Sequence, residues 1–311
     1  MMAQDKVRIV EVGPRDGLQN EASPLGVPAR IAMVEGLIAA GLRAVEVGSF
    51  VSPKWVPQMV GSDEVLGAFA HRTDLRLPVL VPNMKGFAAA QAAGAREIAV
   101  FASASESFSQ KNINCSIDES LDRFRPVMEA AVDAGIAVRG YVSCAWGCPY
   151  EGAVDPAAVV RVSKALHAMG CYEISVSDTI GTGTPTAARE VIEAVAGSVP
   201  MTALAVHVHD TYGQALANIL ACLQAGVRVF DASVGGLGGC PYAEGATGNV
   251  ATEDLVFMLD GMGIHTGVDL RRLCTVALDV SGTLGRPPSS HVARVFAQNG
   301  GEGFPFDTRL T

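Results

Sequence analysis

Eight short apolar runs, rich in β-branched residues, alternate along this chain with longer stretches of helical periodicity. Such alternation is typical of repeated βα units that build a parallel sheet. The runs span residues 7–13, 44–50, 76–82, 97–103, 137–145, 172–181, 204–213 and 229–239. Because eight βα units close a sheet into a cylinder, the pattern predicts an α/β protein with a (β/α)8 TIM barrel. The 311 residues, 49% of them hydrophobic, suffice for one such domain over residues 1–311.

Glycines follow five of the predicted helices, where each one takes the left-handed conformation that ends a helix. They are Gly41, Gly94, Gly135, Gly170 and Gly226. An open doubly wound sheet also has glycines at its helix ends, so these glycines do not distinguish the two folds. The count of eight strands favours the barrel. After the eighth run we expect a short C-terminal helical extension over residues 265–298 and an irregular tail over residues 299–311.

The charge balance argues for a small-molecule substrate. The formal net charge is -9 and the pI is about 5.2, so the surface as a whole repels phosphate backbones and anionic lipid headgroups. We therefore expect neither nucleic acid nor membrane as a partner. An anionic substrate would need a locally basic pocket.

The N-terminus and the cysteines predict a cytoplasmic protein. The sequence starts a strand-like run at residue 7, without the basic and apolar segments of a signal peptide or the Arg-rich pattern of a presequence. The seven cysteines are an odd number without a CxxC pair, which argues against a disulfide framework or a structural zinc site.

Two polar segments at predicted strand ends favour a metal site. Alternation places His207 and His209 on one face at the end of the seventh run, about 7 Å apart. Arg15 and Asp16 follow the first run. Alone, an Arg-Asp pair is more typical of a salt-bridged turn. Together with two imidazoles, however, the Asp16 carboxylate can hold a divalent ion and leave positions open to substrate oxygens.

Three further residues are candidates by their setting. Glu46, in the second run, falls on the inward face, where Arg15 is its obvious partner, so it would orient the arginine. Cys240 follows a glycine-rich loop after the eighth run, and a thiol on such a loop can approach a reacting carbon. The amide oxygen of Asn249 is either a further metal ligand or part of a turn or helix cap.

Long segments of the chain closely resemble the hydroxymethylglutaryl-CoA lyase family, which belongs to a wider superfamily of metal-dependent lyases on TIM barrels. The resemblance covers nearly the whole chain. The matching segments include VEVGPRDGLQNE (10–21), FVSPKWVPQM (50–59), KNINCSI (111–117), RGYVSCAWGCPYEG (139–152), GCYEISVSDTIG (170–181), HVHDTYGQALAN (207–218) and GGLGGCPYAEGATGN (235–249).

This resemblance implies a set of site residues. Four residues would bind one Mg²⁺ or Mn²⁺ ion: Asp16, His207, His209 and Asn249. Arg15 would contact the substrate carbonyl, and Cys240 would be the catalytic cysteine of a mobile loop. Glu46 and Asp178 fall on positions that support the site.

The activity implied is cleavage of 3-hydroxy-3-methylglutaryl-CoA into acetyl-CoA and acetoacetate, as in leucine degradation. Either Asp16 or His207 would remove the proton from the C3 hydroxyl, and Cys240 would protonate the acetyl-CoA enolate. The alternatives are a related lyase for a bulkier 3-hydroxy acyl-CoA, a Claisen-type condensing enzyme, and a barrel that binds acyl-CoA or metal without catalysis. We expect a homodimer or another homo-oligomer.

Overall fold

The computed structural model describes residues 6–239 and 248–301, and all eight predicted runs contain strands. The strands are β1 (Arg8–Glu11), β2 (Ala44–Val45), β3 (Gly48–Ser49), β4 (Val79–Leu80), β5 (Glu97–Ser103), β6 (Ala137–Ser143), β7 (Glu173–Asp178), β8 (Leu204–Val208) and β9 (Val229–Ala232). The second run is the only one of the eight divided in two, as β2 and β3, and it is interrupted at Glu46 and Val47.

The sheet is parallel and closes on itself. Its strand order is β2-β1-β9-β8-β7-β6-β5-β4-β3, so the two end strands are the two halves of one run. Backbone hydrogen bonds continue across the interruption: the Glu46 N–H donates to the Glu11 carbonyl at 2.8 Å, and the Val47 N–H donates to the Pro78 carbonyl at 3.1 Å. The predicted TIM barrel is confirmed.

Helices connect the strands and surround the sheet. They are α1 (Val27–Ala39), α2 (Ser62–Ala68), α3 (Met84–Ala92), α4 (Glu106–Ile113), α5 (Ile117–Ala134), α6 (Pro156–Ala168), α7 (Pro185–Ala196), α8 (Ala215–Ala225), α9 (Thr252–Gly261), α10 (Leu270–Leu284) and α11 (His291–Gln298). The last two form the C-terminal extension. Within the described ranges, no helix combines the length and apolarity required to cross a bilayer.

Local signals set the helix boundaries. At the start of α5, the Ser116 hydroxyl accepts from the Glu119 N–H at 3.1 Å, and the Glu119 carboxylate accepts from the Ser116 N–H at 2.8 Å. The helix ends at Gly135, where φ is 66°. The other four predicted stop glycines also have positive φ, which confirms their role.

Strand alternation separates an apolar outer layer from a polar interior. Val206 and Phe230 are aligned on β8 and β9 and belong to the large core between sheet and helices. The next aligned pair, His207 and Asp231, therefore points inside the barrel. Two small apolar clusters share this interior with buried charged residues. The outer layer supplies stability, and the interior is left for chemistry.

We expect Phe230→Ala to lower the free energy of unfolding by about 3–5 kcal/mol, because it leaves a cavity between β9 and the helices. Val132→Ala is the control, since this side chain is 72% exposed and should change stability by less than about 0.5 kcal/mol. Urea unfolding followed by circular dichroism measures both. Equal stability of the two variants would contradict the assigned core.

Candidate active site

The turn after β1 places Arg15 and Asp16 at the mouth of the barrel. Residues Gly13–Gly17 form a single π-helical turn in which Arg15 is buried. The Glu11 carboxylate anchors it by accepting from the Gly13 N–H at 2.8 Å. A Cβ on Gly13 would lie 2.6 Å from that carboxylate, so only glycine fits here. Glu11 also accepts from the Val234 N–H at 2.9 Å, which ties this turn to the segment after β9.

Asp16, His207 and His209 converge at one point. His207 lies in β8 and His209 directly follows it, and their ring centroids are 5.3 Å apart. Each of the three residues offers one ligand atom, and these atoms lie within 4.8 Å of one another. The structure therefore brings together the carboxylate and the two imidazoles that the sequence singled out.

Asn249 joins this group through its side chain. Its amide nitrogen donates to the Asp16 carboxylate at 2.9 Å and to the Leu237 carbonyl at 3.2 Å. Its amide oxygen is buried and has no hydrogen-bond partner among the described residues. The same holds for Nδ1 of His209. Nδ1 of His207 lies 3.3 Å from the Asp231 carboxylate, without the geometry of a hydrogen bond. Buried polar atoms without partners are costly, and a cation beside Asp16 would offer the amide oxygen a partner if the amide turned, because its nitrogen now faces Asp16. This donor set fits a divalent ion with a preference for oxygen ligands.

The pKa values of the three convergent residues are shifted in different directions from their ordinary values. Burial favours a neutral Asp16, but the charges of Arg15, His207 and His209 outweigh it and hold the pKa of Asp16 well below its usual range. Burial, with the neighbouring His207, lowers the pKa of His209 to about 4. Burial also acts to lower the pKa of His207, but its contacts with Asp231 and Asp16 raise it overall. Asp16 is thus ionised and His209 neutral at pH 7.

Arg15 is held between two carboxylates. It donates to Asp16 at 2.7 Å and contacts the fully buried Glu46 carboxylate at 2.8 Å. The Tyr141 hydroxyl donates to the same Glu46 oxygen at 3.2 Å. Despite desolvation, Glu46 and Asp16 raise the pKa of Arg15, so it is a permanent cation. The predicted pairing of Glu46 with Arg15 is present, which leaves the guanidinium oriented but able to contact a ligand.

Asp178 lies at the end of β7 and takes part in a loop rather than in the convergent group. Its carboxylate accepts from the N–H groups of Thr182 at 3.1 Å and Gly183 at 2.9 Å. Burial raises the pKa of Asp178 to about 6, although these backbone contacts oppose the shift. Its supporting role stays a prediction.

The loop predicted to carry the thiol is described only at its two ends, and Cys240 lies outside the described residues. The ends pack tightly against the site. A Cβ on Gly238, whose φ is 118°, would lie 2.8 Å from the Asn249 amide nitrogen. A Cβ on Gly17 would lie 2.8 Å from Leu237. These contacts explain why glycines occupy both positions.

The structure adds three interior residues that our sequence analysis did not single out: Arg139, Tyr141 and Asp231. All three are buried and face the barrel interior. Arg139 donates to the Tyr141 hydroxyl at 2.9 Å and to Asp231 at 2.7 and 3.0 Å. The sequence did contain a signal for two of them, a charged residue within an otherwise apolar strand: Arg139 in AVRGYVS and Asp231 in VFDA.

A cavity of about 690 Å³ opens above these groups. Arg15, Asp16 and the two histidines form its polar floor. Its other lining residues are mixed: Trp55, Leu80, Phe101 and Phe108 are among the apolar ones, and the segment 111–114 adds Lys111 and two asparagines. Charged groups together with apolar and polar lining residues suit an elongated ligand with a polar reacting end.

Comparison with known proteins shows the same architecture and closely similar sequences. A family model described as HMGL-like matches residues 6–280. A Pseudomonas aeruginosa protein named 3-hydroxy-3-isohexenylglutaryl-CoA/hydroxy-methylglutaryl-CoA lyase is 58% identical over 289 residues, which cover 93% of this chain and 96% of that protein.

Two solved structures extend this similarity. The crystal structure of hydroxymethylglutaryl-CoA lyase from Pseudomonas aeruginosa matches with a TM-score of 0.93 and 56% identity, covering 96% of this chain and 100% of that one. An HMG-CoA lyase from Acinetobacter baumannii, in complex with coenzyme A and 3-methylmalate, matches with a TM-score of 0.90 and 33% identity, covering 99% and 100%. With its family model matched over residues 6–280, this chain belongs to the HMGL-like family.

Proposed function

We propose that this protein is a divalent-metal-dependent lyase that cleaves 3-hydroxy-3-methylglutaryl-CoA into acetyl-CoA and acetoacetate. One observation carries the proposal: Asp16, His207 and His209 converge beside the buried cation Arg15 at the mouth of the barrel. The similarity to proteins named for this activity supports it. The acyl-CoA substrate class is also supported by the coenzyme A bound to the Acinetobacter baumannii relative.

Four residues would hold the metal: Asp16, His207, His209 and Asn249. Mg²⁺ and Mn²⁺ suit this set because it combines a carboxylate and an amide oxygen with two imidazoles in an open site. When bound, such an ion lowers the pKa of a coordinated hydroxyl and so makes a tertiary alcohol easier to deprotonate.

Residues of the chain would carry out the other steps: proton removal, charge stabilisation and proton delivery. The C3 hydroxyl loses its proton to Asp16, because His207 has no free lone pair when Nε2 holds the ion and Nδ1 carries hydrogen. The C2–C3 bond then breaks to give acetoacetate and the enolate of acetyl-CoA. Arg15, oriented by Glu46, stabilises the negative charge on the thioester oxygen of the enolate. Cys240 then delivers a proton to C2, which completes acetyl-CoA. Asp178 fixes the loop after β7 through its backbone contacts.

A bulkier substrate is the second candidate. The Pseudomonas aeruginosa relative is named for an isohexenyl as well as a methyl substrate, and the cavity of about 690 Å³ includes apolar lining residues that suit a longer 3-substituent. We further propose that the protein acts in the cytosol as a homodimer or another homo-oligomer.

Product release tests both candidates directly. We expect release from 3-hydroxy-3-methylglutaryl-CoA that is lost after EDTA treatment and restored by Mg²⁺ or Mn²⁺. Assaying 3-hydroxy-3-isohexenylglutaryl-CoA in parallel, by acetyl-CoA formation, decides the preferred substrate through the ratio of kcat/KM values. Activity that EDTA leaves unchanged would refute the metal-dependent mechanism.

Substitution of Arg15 tests its role in charge stabilisation. Arg15→Gln should reduce kcat by at least about 100-fold, since an oxyanion donor contributes about 3–4 kcal/mol. Mn²⁺ content should stay the same. Arg43→Gln is the control, because this arginine side chain is 60% exposed on the surface. Near-normal turnover by Arg15→Gln would remove the arginine from this role.

Metal affinity should depend on pH through a single proton. Among the ligands, only His207 has a raised pKa, whereas the pKa values of Asp16 and His209 lie at about 4 or below. As the pH falls below the pKa of His207, its proton competes with the ion, and the Kd for Mn²⁺ should rise about tenfold per pH unit. Electron paramagnetic resonance of free Mn²⁺ measures the affinity. A slope of two, or no slope between pH 5 and 8, would contradict this assignment.

A further inference from the structure

Asp231 is a buried carboxylate in direct contact with one of the proposed metal ligands. It lies on β9, is 1% exposed and points into the barrel. One of its oxygens, Oδ2, is 3.3 Å from Nδ1 of His207 and accepts from the Ser175 hydroxyl at 3.0 Å. Both of its oxygens accept from Arg139, at 2.7 and 3.0 Å. The carboxylate is therefore fixed on one side and faces the imidazole on the other.

The two nitrogens of His207 face different neighbours. Nδ1 faces Asp231, whereas Nε2 lies 3.9 Å from the Asp16 carboxylate. A neutral imidazole carries a single N–H, and an ionised carboxylate only accepts. Contact with Asp231 therefore favours the tautomer with hydrogen on Nδ1, and it leaves the lone pair of Nε2 directed towards Asp16.

We infer that Asp231 is a positioning residue that fixes the tautomer and the ring orientation of His207 so that Nε2 can bind the divalent ion. This inference rests on the metal site of the proposed function. A carboxylate behind a metal-bound histidine typically raises metal affinity by 10–100-fold, because it fixes the ring and increases the basicity of the ligand.

Arg139 holds Asp231 in place for this role. Its guanidinium donates to both carboxylate oxygens, at 2.7 and 3.0 Å, and the Ser175 hydroxyl donates to Oδ2, so the contacts of Asp231 favour the ionised carboxylate. Arg139 is itself fixed by Glu173 at 2.8 Å and by the Tyr141 hydroxyl. Tyr141 in turn donates to Glu46, which orients Arg15. One guanidinium thus links the metal ligand to the proposed substrate arginine.

Replacement of Asp231 by asparagine, with a matched control, tests the inference. In Asp231→Asn one carboxylate oxygen becomes an NH₂ group, which meets an N–H of Arg139 in either orientation because both oxygens accept from Arg139. The negative charge that favours hydrogen on Nδ1 of His207 is lost as well. Glu97→Gln is the control, because it also removes the charge of a buried strand carboxylate that accepts two hydrogen bonds from a guanidinium, here that of Arg76.

Mn²⁺ titration followed by electron paramagnetic resonance gives the first readout. We expect Asp231→Asn to raise the Kd by 10–100-fold, while Glu97→Gln stays within about threefold of the wild-type protein. Equal affinity of Asp231→Asn and wild type would overturn the inference, and so would an equal loss in both variants. If the wild-type protein binds no Mn²⁺, the proposed metal site itself fails, and the inference fails with it.

A spectrum of the metal-free wild-type protein gives a second readout. With ¹⁵N-labelled histidine and EDTA, at a pH where the His207 ring is neutral, long-range ¹H–¹⁵N spectra should show His207 protonated at Nδ1, with the signal assigned by comparison with His207→Asn. A His207 ring protonated at Nε2 instead would overturn the inference.

Discussion

A chain of alternating charges buried inside the barrel is the interaction on which the site depends. It runs from Asp16 through Arg15 to Glu46, and the Tyr141 hydroxyl joins Glu46 to Arg139. From Arg139 it continues through Asp231 to His207, whose other nitrogen faces Asp16 again. Each buried ion is thereby paired, which avoids the large cost of an isolated charge in the interior. The ring also connects the proposed metal ligands Asp16 and His207 to Arg15, which is proposed to contact the substrate.

With His207 neutral, this ring carries one excess negative charge. With Glu173 and Arg8 included, four carboxylates face three guanidinium groups. A divalent cation beside Asp16 would make this net charge positive, and it would offer a partner to the Asn249 oxygen if the amide turned. The electrostatics of the interior and the donor set at its mouth therefore point to the same kind of ligand.

The fold could be predicted from the sequence because each βα unit carries its own local signals. The fifth strand, β5, matches its predicted run at both ends, and the stop glycines lie where the helices end. The interruption of the second run was not predicted. It falls at Glu46, whose side chain turns inward and pairs with Arg15. This contact joins two segments that are separate in the sequence, so local sequence patterns do not reveal it.

The convergence of Asp16 with the two histidines was also predictable, because strand ends of a barrel share one mouth. The contacts between the interior residues could not be predicted in this way. Arg139 and Asp231 are 92 positions apart, and their contact depends on the register of the strands between them. The direction of the Asn249 amide, with nitrogen towards Asp16, likewise depends on the packed loop ends and not on the local sequence.

Anomalous diffraction from crystals soaked with Mn²⁺ is the most direct test of the central claim. We expect a single strong peak at the barrel mouth, between the Asp16 carboxylate and the imidazoles of His207 and His209, with the Asn249 side chain beside it. A peak elsewhere, or none at a concentration that activates catalysis, would contradict it.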